Sequence, residues 1–277
     1  MTSYSSTNRF NTCPWAYKLA KDGLRKVTAG PESNKMAWGA AMHRALKAIY
    51  SGGFGETEFL AAYPEDLDPA DEVWSRAGGI RTVEAYVSYY QDIDKQWEVL
   101  EVELADDPVK PSLIIDLIAR HRQTGSIYFW DHKFKSKMPW DVNKSYQIDS
   151  QMMRYTAFTA ERYGECAGAV VNIVVPGYRA RAYKGEPAGW YWKFKRETVG
   201  FTLQQLEFWQ TSQEQWEQVI VECELNDRWP KHLGYNCSRC EFYEACYSAM
   251  DEEVVATLYT TGPVEQPFSV VVEEEGL

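Results

Sequence analysis

The stretch SLIIDLIARHRQTGSIYFWDHKFK, residues 112–135, decides the fold. Two apolar runs of strand length flank the turn-forming residues QTGS, so the segment predicts a β-hairpin. Asp116 interrupts the first run, and Asp131 stands at the end of the second. A carboxylate in such surroundings is costly unless it is paired or holds a cation. With the turn centred on Thr124-Gly125, Asp116 faces Lys133 and Ile118 faces Asp131. Directly paired residues point to one side of a sheet, as do positions i and i+2. This register therefore puts Asp116, Asp131 and Lys133 on one face, whereas a one-residue slip would separate them.

Two carboxylates beside a lysine make a site for a hard cation. Carboxylate oxygens suit Mg²⁺ or Mn²⁺ and leave positions for water and a substrate phosphate. Such a cation lowers the pKa of bound water and offsets charge developing on phosphorus. Lys133 is then placed to orient or help deprotonate that water and to stabilise the charge. The plainer reading of the same residues is an ion pair at a hairpin end; the position of Asp116 inside an apolar run favours the site.

Outward from the hairpin the pattern is mixed. Ser5, Ser6 and Thr7 precede a short helix, and Cys13-Pro14 opens a second with proline in its first turn. Residues 36–50 predict a helix with an apolar stripe at 38, 41, 42, 45 and 49. The Gly-, Pro- and acid-rich stretch 51–71 reads as a loop, followed by a helix over about 73–97. VLEVEL, AVVNIVV and WYWKFK read as strands, and 145–163 and 202–225 as helices. Helices before and after a strand cluster, with one strand reached through a helix, define an α/β fold: a mixed central β-sheet flanked by helices.

The chain has 277 residues and a net charge of −11, which argues against indiscriminate nucleic-acid binding. Its bases are concentrated instead. Residues 179–196 (RARAYKGEPAGWYWKFKR) carry six bases and one acid among aromatics, a composition that suits a groove for a phosphate backbone or, equally, a solvated strand pair. No run approaches the length of a membrane span, and MTSYSSTNRF lacks the apolar core of an export signal. A cytoplasmic protein without membrane association is expected, in which the six cysteines serve as ligands or buried thiols. The acidic segment 251–277 is expected to be a mobile tail or to await a protein partner, beyond a single domain over 1–250.

The D…DxK pattern on a hairpin resembles the core of the PD-(D/E)XK nuclease superfamily. GAAMHRAL, with His43 four residues after Gly39, is similar to the G-x-x-x-H element of the RecB-like branch. QMMRY, with Gln151 and Tyr155 one turn apart, is similar to that branch's Q-x-x-x-Y element. The resemblance implies a restriction-endonuclease-like core, with His43, Asp116, Asp131 and the main-chain carbonyl of His132 as metal ligands. It implies Lys133 acting on the water and Gln151 and Tyr155 contacting DNA. Two departures stand out: Leu113 where the family often has glycine, and His132 where an apolar residue is commoner. Glu103 on the preceding strand is left outside the site, because alternation equally lets it face water.

GYNCSRCEFYEAC brings Cys237, Cys240 and Cys246 within ten residues, and tetrahedral sulfur ligation needs a fourth ligand. Cys13, Cys166, Cys223 and His232 are the candidates, and spacing alone leaves a zinc site and an iron–sulfur centre equally open. In the RecB-like iron–sulfur nucleases one cysteine precedes the core, as C-P, and three follow it, as C-x2-C-x5-C. Cys13, Cys237, Cys240 and Cys246 match that arrangement, which implies a 4Fe–4S cluster joining the N- and C-terminal helical segments. The expected function is metal-dependent exonuclease action on single-stranded or frayed DNA ends, in recombination, repair, phage replication or CRISPR adaptation. The alternatives are a non-catalytic module that holds DNA ends or a partner, and a zinc-stabilised endonuclease.

Overall fold

The structure, a computed structural model, describes residues 4–27, 31–65, 67, 71–107 and 112–262. In chain order its elements are α1 (Tyr4–Thr12), α2 (Pro14–Lys21), β1 (Leu24–Lys26), α3 (Pro31–Tyr50), α4 (Gly55–Ala62) and α5 (Arg76–Tyr90). Next come β2 (Trp97–Ala105), β3 (Ile114–His121), β4 (Ile127–Phe134), α6 (Val142–Tyr146), α7 (Ser150–Tyr163), β5 (Ala169–Arg179) and β6 (Gly189–Val199). The last are α8 (Leu203–Asn226), α9 (Tyr243–Tyr247), α10 (Glu252–Leu258) and β7 (Tyr259–Thr261). The chain divides into two compact units, one of Gly30–Ala105 and Ile114–Trp209, the other of Met1–Ala29, Asp106–Leu113 and Gln210–Leu277. One domain over 1–250 was the expectation.

The first unit is built on a five-stranded sheet in the order β2-β3-β4-β5-β6. All its pairings are antiparallel except β4 with β5, which are parallel because α6 and α7 intervene. The expected mixed sheet with helices on both faces is present. On one face α3 sets Trp38 against Phe134 of β4, and α5 takes a hydrogen bond from Trp192 of β6 through Thr82. On the other, Tyr155 of α7 packs edge-on against Phe129 of β4.

The hairpin register differs from the expected one. Leu117 pairs with Trp130 and Ile118 with Phe129, so the turn is centred one residue earlier than Thr124-Gly125. Gly125 is the cause: it takes φ +76 and its N–H closes on His121 O at 2.8 Å, adding a left-handed residue at the end of the turn. Each residue's partner thereby changes by two positions, so each side chain keeps its face. Asp116, Asp131 and Lys133 remain on one side of the sheet.

Three local expectations are corrected. GETEFLAA, inside the stretch read as a loop, is α4, because Phe59 and Tyr63 bury their rings against each other and Phe59 against Trp38. The long helix expected over 73–97 is α5 between two 3₁₀ turns, and the one over 145–163 is α6 and α7, broken before the Asp149 cap. Ser5, Ser6 and Thr7 lie inside α1 and not before it, and Phe10 of that helix is buried against Tyr17.

In the second unit Ala16, Leu19 and Leu24 share a core with Phe242, Ala245 and Tyr259. Strand β1 pairs antiparallel with β7, Leu24 opposite Thr261 and Lys26 opposite Tyr259. Residues 252–261 are therefore folded and not part of a tail, because Tyr259 is buried and its hydroxyl donates to Glu241 O at 2.9 Å. Residues 263–277 of the expected tail lie outside the described residues.

Gly79 lets α5 lie directly against Phe59: a Cβ at that position would fall 1.9 Å from the ring. Gly79→Ala should therefore cost about 1–3 kcal/mol through overpacking. An unaltered midpoint of urea unfolding would contradict this packing.

Candidate active site

The site forms where β3 and β4 stop pairing. The ladder ends at Leu117 and Trp130, and beyond it Asp116 Oδ2 accepts the main-chain N–H of His132 at 2.7 Å. A side chain has replaced a backbone acceptor. His43 reaches into this opening from α3, with its Nδ1 3.1 Å from Asp116 Oδ1. Asp131, only 6% exposed, lies beside Lys133, whose Nζ donates to Oδ1 at 2.9 Å. The other carboxylate oxygen, Oδ2, is 2.8 Å from the same ammonium, but at an angle that leaves it without a hydrogen bond.

Lys133 Nζ also donates to Gln151 Oε1 at 3.3 Å, and Gln151 Nε2 donates to the Tyr155 hydroxyl at 3.0 Å. Asp149 makes this reach accurate. Its carboxylate caps α7 by accepting the N–H groups of Gln151 and Met152 at 2.8 and 3.3 Å, which fixes Gln151 in the first turn. The structure thus brings together His43, Asp116, Asp131, Lys133, Gln151 and Tyr155, all within the sheet-based unit.

The electrostatics push the two carboxylates apart. Burial alone would raise Asp116, but the charge and hydrogen bond of His43 outweigh it and hold its pKa far below the usual carboxylate range. Burial, joined by negative Asp116, raises Asp131 in spite of Lys133. Burial also works against charge on His43 and Lys133, yet Asp116 raises His43 and Asp131 raises Lys133. Lys133 is accordingly held as an ammonium donor in this arrangement. Tyr155 is pushed up to about 12 by burial and keeps its proton.

A second network holds β4 from the opposite face. Asn172 of β5 donates from Nδ2 to His132 Nδ1 at 2.8 Å and to the Tyr86 hydroxyl at 2.9 Å. Its Oδ1 accepts from Arg196 Nε at 3.1 Å. Arg196 also pairs with Asp94, donates to the Tyr50 and Tyr86 hydroxyls, and lies 3.4 Å from the Tyr90 ring centroid. Burial, with the positive charges of His43 and Arg196, drives the His132 imidazole down to about 3. A neutral ring accepting at Nδ1 is what Asn172 requires. Sequence reading missed Asn172, Arg196, Asp94, Tyr50 and Tyr86. The signal was there for Asn172 alone, a lone amide inside AVVNIVV, the same anomaly that exposed Asp116.

Glu103, left out of the site on sequence, falls across from Asp116, because Val102 pairs with Leu117 and Leu104 with Ile115. It has φ +49 and pairs with Lys47 at 2.8 Å, while Glu101 pairs with Arg162 at 2.6 Å.

The four matching cysteines fall in the other compact unit. Cys13 is the N-cap residue of α2 and makes no capping hydrogen bond with its side chain. Cys13 and Cys240 pack on the same apolar core. Burial raises Cys240, helped by the thiols of Cys13 and Cys246, and burial raises Cys246, helped by Cys13 and Cys237 and opposed by Lys231. Of the rival ligands, Cys223 is buried with Phe10, Tyr17 and Ile220, Cys166 belongs to the sheet-based unit, and His232 Nδ1 is 3.2 Å from Thr12 O. Among the described residues, no three His, Cys, Asp or Glu side chains stand close enough to hold one ion as placed.

The sequence profile of the PD-(D/E)XK nuclease superfamily matches residues 1–247, and the chain belongs to that superfamily. The five-stranded mixed sheet flanked by helices fits its restriction-endonuclease-like fold. Membership indicates a nuclease with DNA as substrate, in a superfamily whose members usually use divalent metal ions. No curated protein sequence matches the chain. Among the described residues no helix is long and apolar enough to cross a membrane.

Arg196 is the keystone of the network behind His132. Arg196→Met leaves the half-buried Asp94 with only the Tyr50 hydroxyl and strands the buried Asn172 carbonyl, and should cost about 2–3 kcal/mol. Equilibrium urea unfolding measures it, and a loss below about 1 kcal/mol would mean that the network carries little of the fold.

Proposed function

We propose that the chain is a metal-dependent DNA exonuclease of the RecB-like iron–sulfur branch, acting on single-stranded or frayed ends. The observation that carries this reading is the continuous side-chain path from Asp131 through Lys133 and Gln151 to Tyr155, beside the Asp116–His43 pair.

The donor types suit a hard cation: two carboxylates, one with a buried oxygen lacking a hydrogen bond, and an imidazole, which would have to draw closer together to share one ion. His43, Asp116, Asp131 and the His132 carbonyl would hold Mg²⁺ or Mn²⁺. The N–H and C=O of a strand residue face the same neighbour, so the edge that aims His132 N–H at Asp116 also carries its carbonyl toward that gap. When bound, the ion lowers the pKa of its water and neutralises charge on the phosphate. Lys133 donates from its ammonium to the attacking water or to a phosphate oxygen, with Asp131 keeping it charged. Gln151 holds Lys133 in position, and the protonated Tyr155 holds Gln151. The pair then faces the strand beside the scissile bond.

Cys13, Cys237, Cys240 and Cys246 would hold a 4Fe–4S cluster that ties the first helices to the last segment of the chain. The mutual influence of these thiols and the shared core of Cys13 and Cys240 support the choice of Cys13 as fourth ligand. Cys223 is committed to a different core.

End-labelled single-stranded DNA incubated with Mn²⁺ should shorten, and EDTA should stop it. Asp131→Asn and Lys133→Ala should each slow degradation by about 10²-fold or more while the circular dichroism melt still shows a folded chain. Turnover at the parent rate in either variant would sink the assignment, and a strand that is retarded but never shortened would make the chain a binding module.

The cluster has its own test. Anaerobically prepared protein should contain iron and acid-labile sulfide and absorb broadly in the visible, and Cys13→Ala should lose both. Zinc in their place would support the zinc-stabilised alternative.

A further inference from the structure

The segment between Lys133 and Gln151 leaves the active centre and returns to it, since the two side chains meet at 3.3 Å. Its frame is ordered. Lys135 N–H donates to Val174 O at 3.0 Å, continuing the β4–β5 ladder beyond Phe134. Asp141 caps α6 by accepting Lys144 N–H at 2.9 Å, and Val142 and Tyr146 anchor that helix in the core. Pro139 fixes its own φ and restricts Met138 before it.

On this frame Trp140 is wholly exposed, at 103%. Tryptophan is highly buried on average, because an indole removes a large apolar area from water. A tryptophan held between two fixed points and left in solvent marks a surface meant to be covered. Its neighbours say by what. Lys135, Lys137 and Lys144 are all exposed and lie within five residues of it along the chain, against one exposed acid, Asp141, in a protein whose net charge is −11. Among the described residues none of the three lysines has an ion-pair partner. Cations spaced along an exposed aromatic suit a polyanion that carries flat apolar rings.

We infer that Trp140 is a stacking platform for an unpaired nucleobase, with Lys135, Lys137 and Lys144 taking the flanking phosphates. The β4–α6 loop is thereby a single-strand docking site rooted at the active centre; this rests on the DNA nuclease reading above. A base can lie on an indole only when it has left the duplex, so the platform selects single strands and frayed ends. Trp140 is seven residues from Lys133, which keeps that base within roughly 25 Å of the scissile phosphate.

Fluorescence anisotropy of end-labelled oligothymidylate tests this, using the full chain in EDTA so that nothing is cut. Trp140→Ala should raise Kd by about fivefold or more, whereas Trp140→Phe, which keeps an aromatic face, should retain most of the affinity. Neither should move the thermal melt, because the side chain touches no core. Removing both lysines, Lys135→Ala with Lys137→Ala, should reduce the slope of log K against log salt by about 1.4.

An oligonucleotide of abasic sites supplies the deciding arm. Wild type should bind it as weakly as Trp140→Ala binds thymidylate, and Trp140→Ala should lose nothing further on it. Binding of thymidylate unaffected by Trp140→Ala overturns the platform, as does an equal loss on the abasic strand; either would leave Trp140 to a protein partner. If wild type binds no single strand at all, the platform and the DNA reading fall together. If wild type binds and degrades DNA but Trp140→Ala does the same, only the platform falls.

Discussion

The hydrogen bond from His132 N–H to Asp116 Oδ2 is the constraint on which the site depends. A hairpin strand ordinarily gives its N–H groups to the opposite backbone, and a carboxylate that takes one instead ends the ladder at that point. The ended ladder is what admits His43 to Asp116 and leaves Asp131 and Lys133 beside an opening. The same bond fixes the sequence position of the site, because only a carboxylate on β3 at this point can reach the β4 amide. Geometry and chemistry are one device: the group that parts the strands is also the more acidic of the two carboxylates.

Burying so much charge is tolerable only because each group is answered. His43 answers Asp116, and Lys133 answers Asp131. On the reverse face, Arg196 is answered by Asp94 and by the rings of Tyr90 and Trp130, and Asn172 passes the restraint on to His132. One strand, β4, is thus clamped through alternate residues from both sides: Asp131 and Lys133 above, His132 below. A network in which nearly every group is answered rigidifies the element it holds, and Asp131 Oδ2 is the oxygen left without a hydrogen bond. Rigid placement of Asp131 and Lys133 is what positioned chemistry requires.

Much of this was legible in the residues. Asp116 in an apolar strand, the DHK triplet, His43 on a striped helix and Gln151 with Tyr155 one turn apart all lie where their spacing put them. The hairpin turn lies one residue earlier than its sequence suggests, yet the faces survive because the pairing changes by two residues and the side-chain period is two. The helix at α4 was missed because eight residues rich in Gly, Glu and Ala carry no periodic stripe, and only Phe59 and Tyr63 hold it. The folded segment 252–261 was missed because its acids read as solvated, while the decisive residue, Tyr259, is a single aromatic with a distant partner.

The sequence by itself determined the class of fold and the face of the sheet on which Asp116, Asp131 and Lys133 stand together. Those follow from short-range regularities: strand alternation, helical spacing and motif order are written along the chain. Only the tertiary structure decided that Asp116 bonds the His132 amide, that Lys133 is held as an ammonium, and that Asp94, Tyr50, Tyr86, Asn172 and Arg196 stand behind the site. These residues come from five separate elements, and their charges and protons are set by what burial brings within about 3 Å of them. That proximity is a property of packing, so no local pattern could announce it.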